Sequence, residues 1–198
     1  MAPSTAVVPA KTCDMSGCDS TPLCYSRCVP HPLATIMQNA DGLLLVGDSS
    51  ADRFPGFSYN AFTRAKRRFY CLDLGGLTTS RGPTKGGKVY PSVEALPRDD
   101  LGDLAILWVK PRRSTEAVEA AHAAGCTRVW FSFHTAHASA VERAEALGME
   151  VVEVGRCPVY YIDGAPPACK AHAAVVRLSG TRGRPQQRTL EKAQRIMW

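Results

Sequence analysis

Long hydrophobic runs are absent from this 198-residue sequence, and its longest apolar stretches, Leu43–Val46 and Leu104–Val109, are only strand-sized. A helix that crosses a bilayer needs about 20 apolar residues, so the sequence excludes a membrane-spanning protein. Met1–Lys11 also lacks the basic segment followed by an apolar segment that marks a secretory signal. The sequence therefore predicts a globular cytoplasmic protein with no membrane partner.

Acidic residues are scarce at the C-terminal end. Residues 170–198 hold seven Lys or Arg and one Glu, which accounts for the whole formal net charge of +6. One interpretation is a solvated extension. The other is a basic surface for an acidic protein or a nucleic acid, whose binding would weaken steeply with salt. In that case the contacting residues would be Arg182, Arg184 and Arg188, with Trp198 as an anchor.

Cys-x-x-Cys pairs are also absent, although the chain has eight cysteines. Four of them lie in an N-terminal segment, separated by four, five and three residues, a spacing that matches no common zinc ribbon. This segment is interpreted either as a site for zinc or an iron–sulfur cluster or as a leader with reduced thiols. Its cysteines are Cys13, Cys18, Cys24 and Cys28. The positions of Cys71, Cys126 and Cys157 predict packed core thiols.

From Asp41 onward, short apolar runs alternate with amphipathic stretches, which is typical of βα units around a parallel sheet. The predicted strands are 43–46, 68–72, 103–109, 129–131 and 150–154. Helices are predicted over Tyr59–Arg67 with Ser58 as N-cap, Ser92–Leu96, Ser114–Gly125 and Ala138–Leu147. The sequence thus predicts an α/β, Rossmann-like three-layer fold with a parallel five-stranded sheet. Ala173–Val176 is compatible with an added edge strand.

The first strand is followed directly by Gly47-Asp48-Ser49-Ser50. In sheets of this kind, ligands bind outside the carboxyl ends of the strands. A glycine allows a sharp turn there, and small hydroxyl residues beside a helix N-terminus offer hydrogen-bond donors to a phosphate. The Gly-x-Gly-x-x-Gly of dinucleotide-binding enzymes is missing, so this segment is either a phosphate-binding turn or an ordinary βα turn.

Five segments occur in a characteristic order along residues 40–162. They are Leu45–Ser49, Ser58–Tyr59, Gly87–Pro97, Val129–Phe131 and Gly148–Pro158. In this order and spacing the chain resembles the small single-domain CoA-binding proteins, which are similar to the nucleotide-binding domain of the succinyl-CoA synthetase α subunit. The resemblance implies three parts: a cysteine-rich extension over 1–40, a CoA-binding domain over 41–162 and a basic extension over 163–198.

The resemblance implies non-catalytic binding of CoA or acyl-CoA, because the phosphorylated histidine of the synthetase belongs to a domain that is not part of this pattern. The turn for the pyrophosphate would comprise Gly47, Asp48, Ser49 and Ser50, with Arg53 adding charge nearby. The groove would be lined after the second strand by Leu72, Asp73 and Leu74, and after the third by Val109, Lys110 and Pro111. Lys85 and Lys88 would serve a phosphate of CoA.

The chain departs from the family pattern at three places. Asp48 replaces a small neutral residue, Asp73-Leu74 replaces an Asn-Pro pair, and Ser132–Thr135 replaces a glutamine–glycine pair. An acid at the position of Asp73 binds ribose hydroxyls in NAD enzymes, so an NAD(P)-binding enzyme or redox sensor is the alternative prediction. A third is an interaction protein that has lost its nucleotide. His134 and His137 are interpreted as either acid–base or metal-binding groups or solvated loop histidines.

Overall fold

The computed structural model of the protein describes residues 32–51, 56–77, 89–163 and 165–178. Helices and parallel strands alternate along these residues. The helices are α1 (Pro32–Asn39), α2 (Gly56–Arg64), α3 (Ser114–Ala123), α4 (Ala138–Ala146) and α5 (Pro167–Leu178). The strands are β1 (Leu43–Gly47), β2 (Phe69–Asp73), β3 (Val89–Tyr90), β4 (Leu104–Trp108), β5 (Arg128–Phe131) and β6 (Glu150–Val154). Within these ranges, no helix combines the length and apolar character that a membrane crossing requires.

The six strands form one sheet in the order β3-β2-β1-β4-β5-β6, and every pair is parallel. The predicted Rossmann-like α/β fold and all five predicted strands are confirmed. The sixth strand, β3, was not predicted because two residues carry no periodic signal. The strand order reverses between β1 and β4, and their carboxyl ends therefore form the topological switch point at which such sheets bind ligands.

Alternation of side chains along the strands divides the core between the two faces of the sheet. On β1, Leu44 and Val46 belong to one hydrophobic cluster, which includes the buried faces of α3 and α4. Leu43 and Leu45 belong to the other, with α1 and α2. The strand is buried at all five positions, as expected for a parallel strand that is covered on both faces.

Helix α1 precedes the predicted core domain and packs in the second cluster through Leu33 and Met37. These two residues are four apart, so they share one face of the helix. The guanidinium of Arg67 donates hydrogen bonds to the carbonyls of Met37 (2.7 Å) and Gln38 (2.9 Å). It thereby satisfies carbonyl groups that the end of a helix leaves without partners.

Three local predictions are wrong. Ala173–Val176 lies in the middle of α5 and forms no strand, because the alanines of this segment favour a helix and Pro167 suits its first turn. Ser92–Leu96 forms turns and bends, and no helix. Helix α2 begins at Gly56, so Ser58 lies inside the helix and is not its N-cap.

A buried ion pair lies at the end of β6. Glu153 accepts a hydrogen bond from the guanidinium of Arg156 (3.1 Å) and another from the backbone N–H of Val154 (3.0 Å). The carbonyl of Arg156 in turn accepts the indole N–H of Trp130 (2.8 Å). Burial raises the pKa of Glu153 to about 7 and outweighs the lowering effect of the Arg156 charge.

This raised pKa makes stability depend on pH. A carboxyl group whose pKa is higher in the folded state than in the unfolded state favours folding when protonated, so its contribution is lost as the pH rises through about 7. Between pH 5.5 and pH 8, the free energy of unfolding should fall by about 1–2 kcal/mol more in the wild type than in Glu153→Gln. Urea denaturation at both pH values measures this difference. Glu150→Gln, at an exposed position of the same strand, should keep the wild-type dependence, and equal slopes in wild type and Glu153→Gln would contradict the prediction.

Candidate functional site

The carboxyl ends of β1, β2 and β4 bring together most of the residues that the sequence singled out. In the sheet, Gly47 at the end of β1 is level with Asp73 of β2 and with Trp108 of β4. The segments that follow these three positions therefore meet at one edge. The predicted site residues gathered there are Gly47, Asp48, Ser49, Ser50, Asp73, Leu74, Val109, Lys110 and Pro111.

Asp73 is fully buried and holds the turn after β1. Its Oδ1 accepts a hydrogen bond from the backbone N–H of Ser49 (2.7 Å). Its Oδ2 accepts one from the Ser49 hydroxyl (2.7 Å) and one from the backbone N–H of Leu77 (2.5 Å). The donors of Ser49 that the sequence assigned to a phosphate are therefore engaged by a carboxylate of the same chain.

The loop after β2 packs directly on this turn. The backbone N–H of Leu74 donates to the carbonyl of Gly47 (2.9 Å). A Cβ atom at Gly75 would lie 2.6 Å from the Ser49 hydroxyl oxygen and 2.6 Å from the backbone nitrogen of Ser50. Glycine is required at this position because the two backbones approach too closely for a side chain.

Asp48, the other acid of the predicted site, is also fully buried. Its Oδ1 accepts hydrogen bonds from the hydroxyl (2.5 Å) and the backbone N–H (3.2 Å) of Ser50 and lies 2.9 Å from a guanidinium nitrogen of Arg113. Burial raises the pKa of Asp48, but the Ser50 hydroxyl bond and the Arg113 guanidinium together outweigh burial and hold this pKa below its usual range. The carboxylate is therefore ionised and its charge is balanced within the protein.

Arg113 and Glu116 were missed by the sequence analysis. Arg113 contacts Asp48 after β1, donates to the carbonyl of Leu74 after β2 (3.1 Å) and itself follows β4. Two further hydrogen bonds run from its guanidinium to the carboxylate of Glu116, at 2.6 and 2.8 Å. The sequence contains one indication of this role, because Arg113 directly precedes a predicted helix. A positive charge there is disfavoured by the helix dipole, so an arginine at this position indicates a partner elsewhere.

Other predicted site residues have different surroundings. Leu72 lies inside β2, and both Leu72 and Val109 are buried in the hydrophobic core. Their side chains therefore pack in the core, because the strand and the core extend further than the sequence pattern indicated. Lys110 is exposed and Pro111 is half-buried. Arg53, Lys85 and Lys88 lie outside the described residues.

The loop after β5 forms the other half of this edge of the sheet. His134 has a φ of 54°, in the left-handed region that favours glycine. His137 is the N-cap of α4: its Nδ1 accepts the backbone N–H of Ser139 (3.3 Å) and lies 2.8 Å from the Ser139 hydroxyl. His137 thus has a structural role as a cap. On the same loop, the buried hydroxyls of Ser132 and Thr135 have no hydrogen-bond partner among the described residues.

Three of the four cysteines that the structure describes are thiols in apolar surroundings. Cys71, Cys126 and Cys157 are buried, which confirms the prediction of packed core thiols. Burial raises the pKa of Cys126 and that of Cys157 to about 12 each and raises the pKa of Cys71 as well. The described part of the chain contains no group of three His, Cys, Asp or Glu side chains that could hold a metal ion. The predicted metal ligands Cys13, Cys18, Cys24 and Cys28 lie outside it, as do Arg182, Arg184, Arg188 and Trp198.

The strand order and the all-parallel pairing define a Rossmann-like α/β class of protein. In a comparison with family models, the model described as "CoA binding domain" matches residues 44–162. The chain belongs to the CoA-binding domain family.

Two solved structures are similar to this chain. A hypothetical protein from Pyrococcus horikoshii OT3 is 26% identical, covers 65% of this chain and 86% of its own length, and has a TM-score of 0.54. Prb, a protein redesigned for binding, is 23% identical with the same coverage and a TM-score of 0.52, which supports the fold alone. A comparison with curated proteins finds no match.

Proposed function

We propose that this protein binds CoA or acyl-CoA at the switch point between β1 and β4 and does so without catalysing a reaction on it. The family supports the ligand, because the matched residues 44–162 include all three strands whose carboxyl ends form the site. The observation that carries the proposal is the internal engagement of Asp48 and Asp73. Asp73 is buried and accepts three hydrogen bonds within the protein. Asp48 is buried and paired with Arg113 through Oδ1, while its Oδ2 has no hydrogen-bond partner among the described residues. Because neither carboxylate is exposed, neither presents its charge to a phosphate in solvent.

Lys110 is one candidate cation for the phosphates within the described residues, because it is exposed beside the site. We place Lys85, Lys88 and Arg53 in the same role on the strength of the sequence resemblance alone. Together these groups would surround the ADP-like half of the ligand.

The NAD alternative depended on Asp73 as a ligand for ribose hydroxyls. Three hydrogen bonds from the chain already engage this carboxylate, and it has no exposed surface. A ribose would have to break these bonds to reach it. The position therefore does not favour a nicotinamide nucleotide over CoA, and we assign Asp73 to the structure of the turn.

Isothermal calorimetry with CoA, dephospho-CoA, NAD and ATP tests the proposal. We expect saturable binding of CoA and no comparable binding of NAD. Lys110→Ala should weaken CoA binding about threefold to tenfold, the loss expected for one partly solvated charged contact. Lys170→Ala, which removes an exposed lysine of α5, should leave the affinity unchanged.

Absence of CoA binding at millimolar ligand would overturn the proposal. Binding of NAD in preference to CoA would favour the NAD(P)-dependent alternative. If none of the four nucleotides binds, the interaction protein without a nucleotide becomes the better hypothesis.

A further inference from the structure

Arg113 connects the three loops of the proposed site. Its guanidinium contacts Asp48 after β1 and the carbonyl of Leu74 after β2, and the residue itself lies between β4 and α3. A cation in this position faces the switch point, where the fold places the ligand. It is the described cationic side chain with the most direct contacts to the turn after β1.

The two carboxylates that hold Arg113 differ in their surroundings. The side chain of Asp48 is fully buried, whereas that of Glu116 is 53% exposed, and Arg113 itself is 23% exposed. The carboxylate of Glu116 accepts hydrogen bonds from two parallel N–H groups of the guanidinium, Nε–H and one Nη2–H. This is the two-point geometry in which an arginine binds a phosphate.

The buried pair and the exposed pair respond differently to a competing anion. Removing Asp48 from Arg113 would leave a buried charge without its partner, which is strongly unfavourable. Removing Glu116 returns an exposed carboxylate to water and costs little. An anion that approaches from solvent would therefore replace Glu116 and leave the contact with Asp48 intact.

Resting on the proposed function, we propose that Arg113 binds the diphosphate group of the nucleotide and that Glu116 occupies this site as an internal competing anion until the diphosphate replaces it. Asp48 holds the guanidinium in place throughout. Lys110 and Arg112, both exposed on the same loop, add positive charge that favours a doubly charged group over a single carboxylate. The negative charge that Asp48 adds relative to the family pattern is then balanced by the positive charge of Arg113.

Titration with inorganic pyrophosphate at low salt tests this inference directly. Glu116→Gln should bind pyrophosphate about threefold to fivefold more tightly than the wild type, the range that corresponds to loss of one exposed ion pair. Glu119→Gln is the matched control, because Glu119 lies on the same helix and forms an exposed ion pair with Arg143. Its affinity for pyrophosphate should equal that of the wild type.

A second pair of variants tests Arg113 itself. Arg113→Gln alone leaves Asp48 buried without its partner, so the double variant Asp48→Asn/Arg113→Gln is used to remove both charges together. We expect it to lose at least about tenfold in pyrophosphate affinity relative to the wild type, and to bind more weakly than Asp48→Asn, which keeps the guanidinium. A thermal melt of each variant verifies that it is folded.

Equal affinities in Glu116→Gln and Glu119→Gln would overturn the inference, and so would wild-type affinity in the folded double variant or the absence of pyrophosphate binding to the wild type. Titration of the same variants with CoA separates this result from the proposed function. If CoA binds but none of these substitutions alters its affinity, the diphosphate lies elsewhere and the proposed function stands. If pyrophosphate responds as expected and CoA does not bind, the anion site stands and the proposed ligand is wrong.

Discussion

Replacing Arg113 by glutamine is expected to lower the free energy of unfolding by about 3–5 kcal/mol, because the substitution leaves the Asp48 carboxylate buried without a positive partner. The carboxylate has no exposed surface, and the Ser50 hydrogen bonds alone would remain to stabilise its charge. The hydrogen bond from Arg113 to the carbonyl of Leu74 would be lost as well. Urea denaturation at pH 7 measures the loss.

The double variant Asp48→Asn/Arg113→Gln should recover most of this stability, since it removes the buried charge together with its partner. Arg143→Gln is the control, because its ion pair with Glu119 is exposed on both sides and should contribute less than about 1 kcal/mol. A small effect of Arg113→Gln, similar to that of Arg143→Gln, would show that Asp48 does not depend on the guanidinium.

Asp73→Ala is expected to cost about 3–5 kcal/mol, because three donors in the interior lose a charged acceptor. The donors are the backbone N–H and hydroxyl of Ser49 and the backbone N–H of Leu77, at 2.5 to 2.7 Å from the carboxylate. Their loss would release the turn after β1 from the loop after β2. Equilibrium denaturation gives the change in stability, and hydrogen exchange at the Ser49 amide reports the loosening of the turn.

Asp41→Ala serves as the matched aspartate control. Asp41 pairs with Arg68 at 2.8 Å, but both side chains are more than half exposed, so the expected loss is below about 1 kcal/mol. If Asp73→Ala is no more damaging than Asp41→Ala, the three hydrogen bonds do not hold the turn. In that case Ser49 would be available to a ligand, as the sequence pattern suggested.

Both predictions concern an aspartate beside the proposed anion site, where a negative charge disfavours a phosphate. A free negative charge at either position, Asp48 or Asp73, would repel the phosphates of CoA. In the folded protein, Asp48 is paired with Arg113 and Asp73 satisfies donors of the neighbouring turn. In the structure neither carboxylate faces solvent. Asp48 is paired with a guanidinium and Asp73 accepts three hydrogen bonds, which weakens the repulsion of a bound phosphate.

The fold was largely determined by local pattern. The fully apolar run at Leu43–Val46 and the similar run in β4 can only be strands covered on both faces, and helices of matching period separate them. The order of the family segments placed the ligand edge at the turn after β1. The prediction from the sequence pattern failed in α5, where the preferences for strand and helix are close in energy. Two β-branched valines favour a strand there, but the surrounding alanines stabilise a helix.

The sequence by itself therefore determined the parallel sheet and the family, and it predicted the edge at which a ligand binds. Only the tertiary structure decided which groups at that edge are already engaged. Asp73 meets Ser49 and Arg113 meets Asp48 because parallel pairing of β2 and β4 with β1 brings their carboxyl ends level. No periodic pattern in the sequence indicates such contacts. Each depends on strand register and on how closely its partners pack around a charge and exclude water from it.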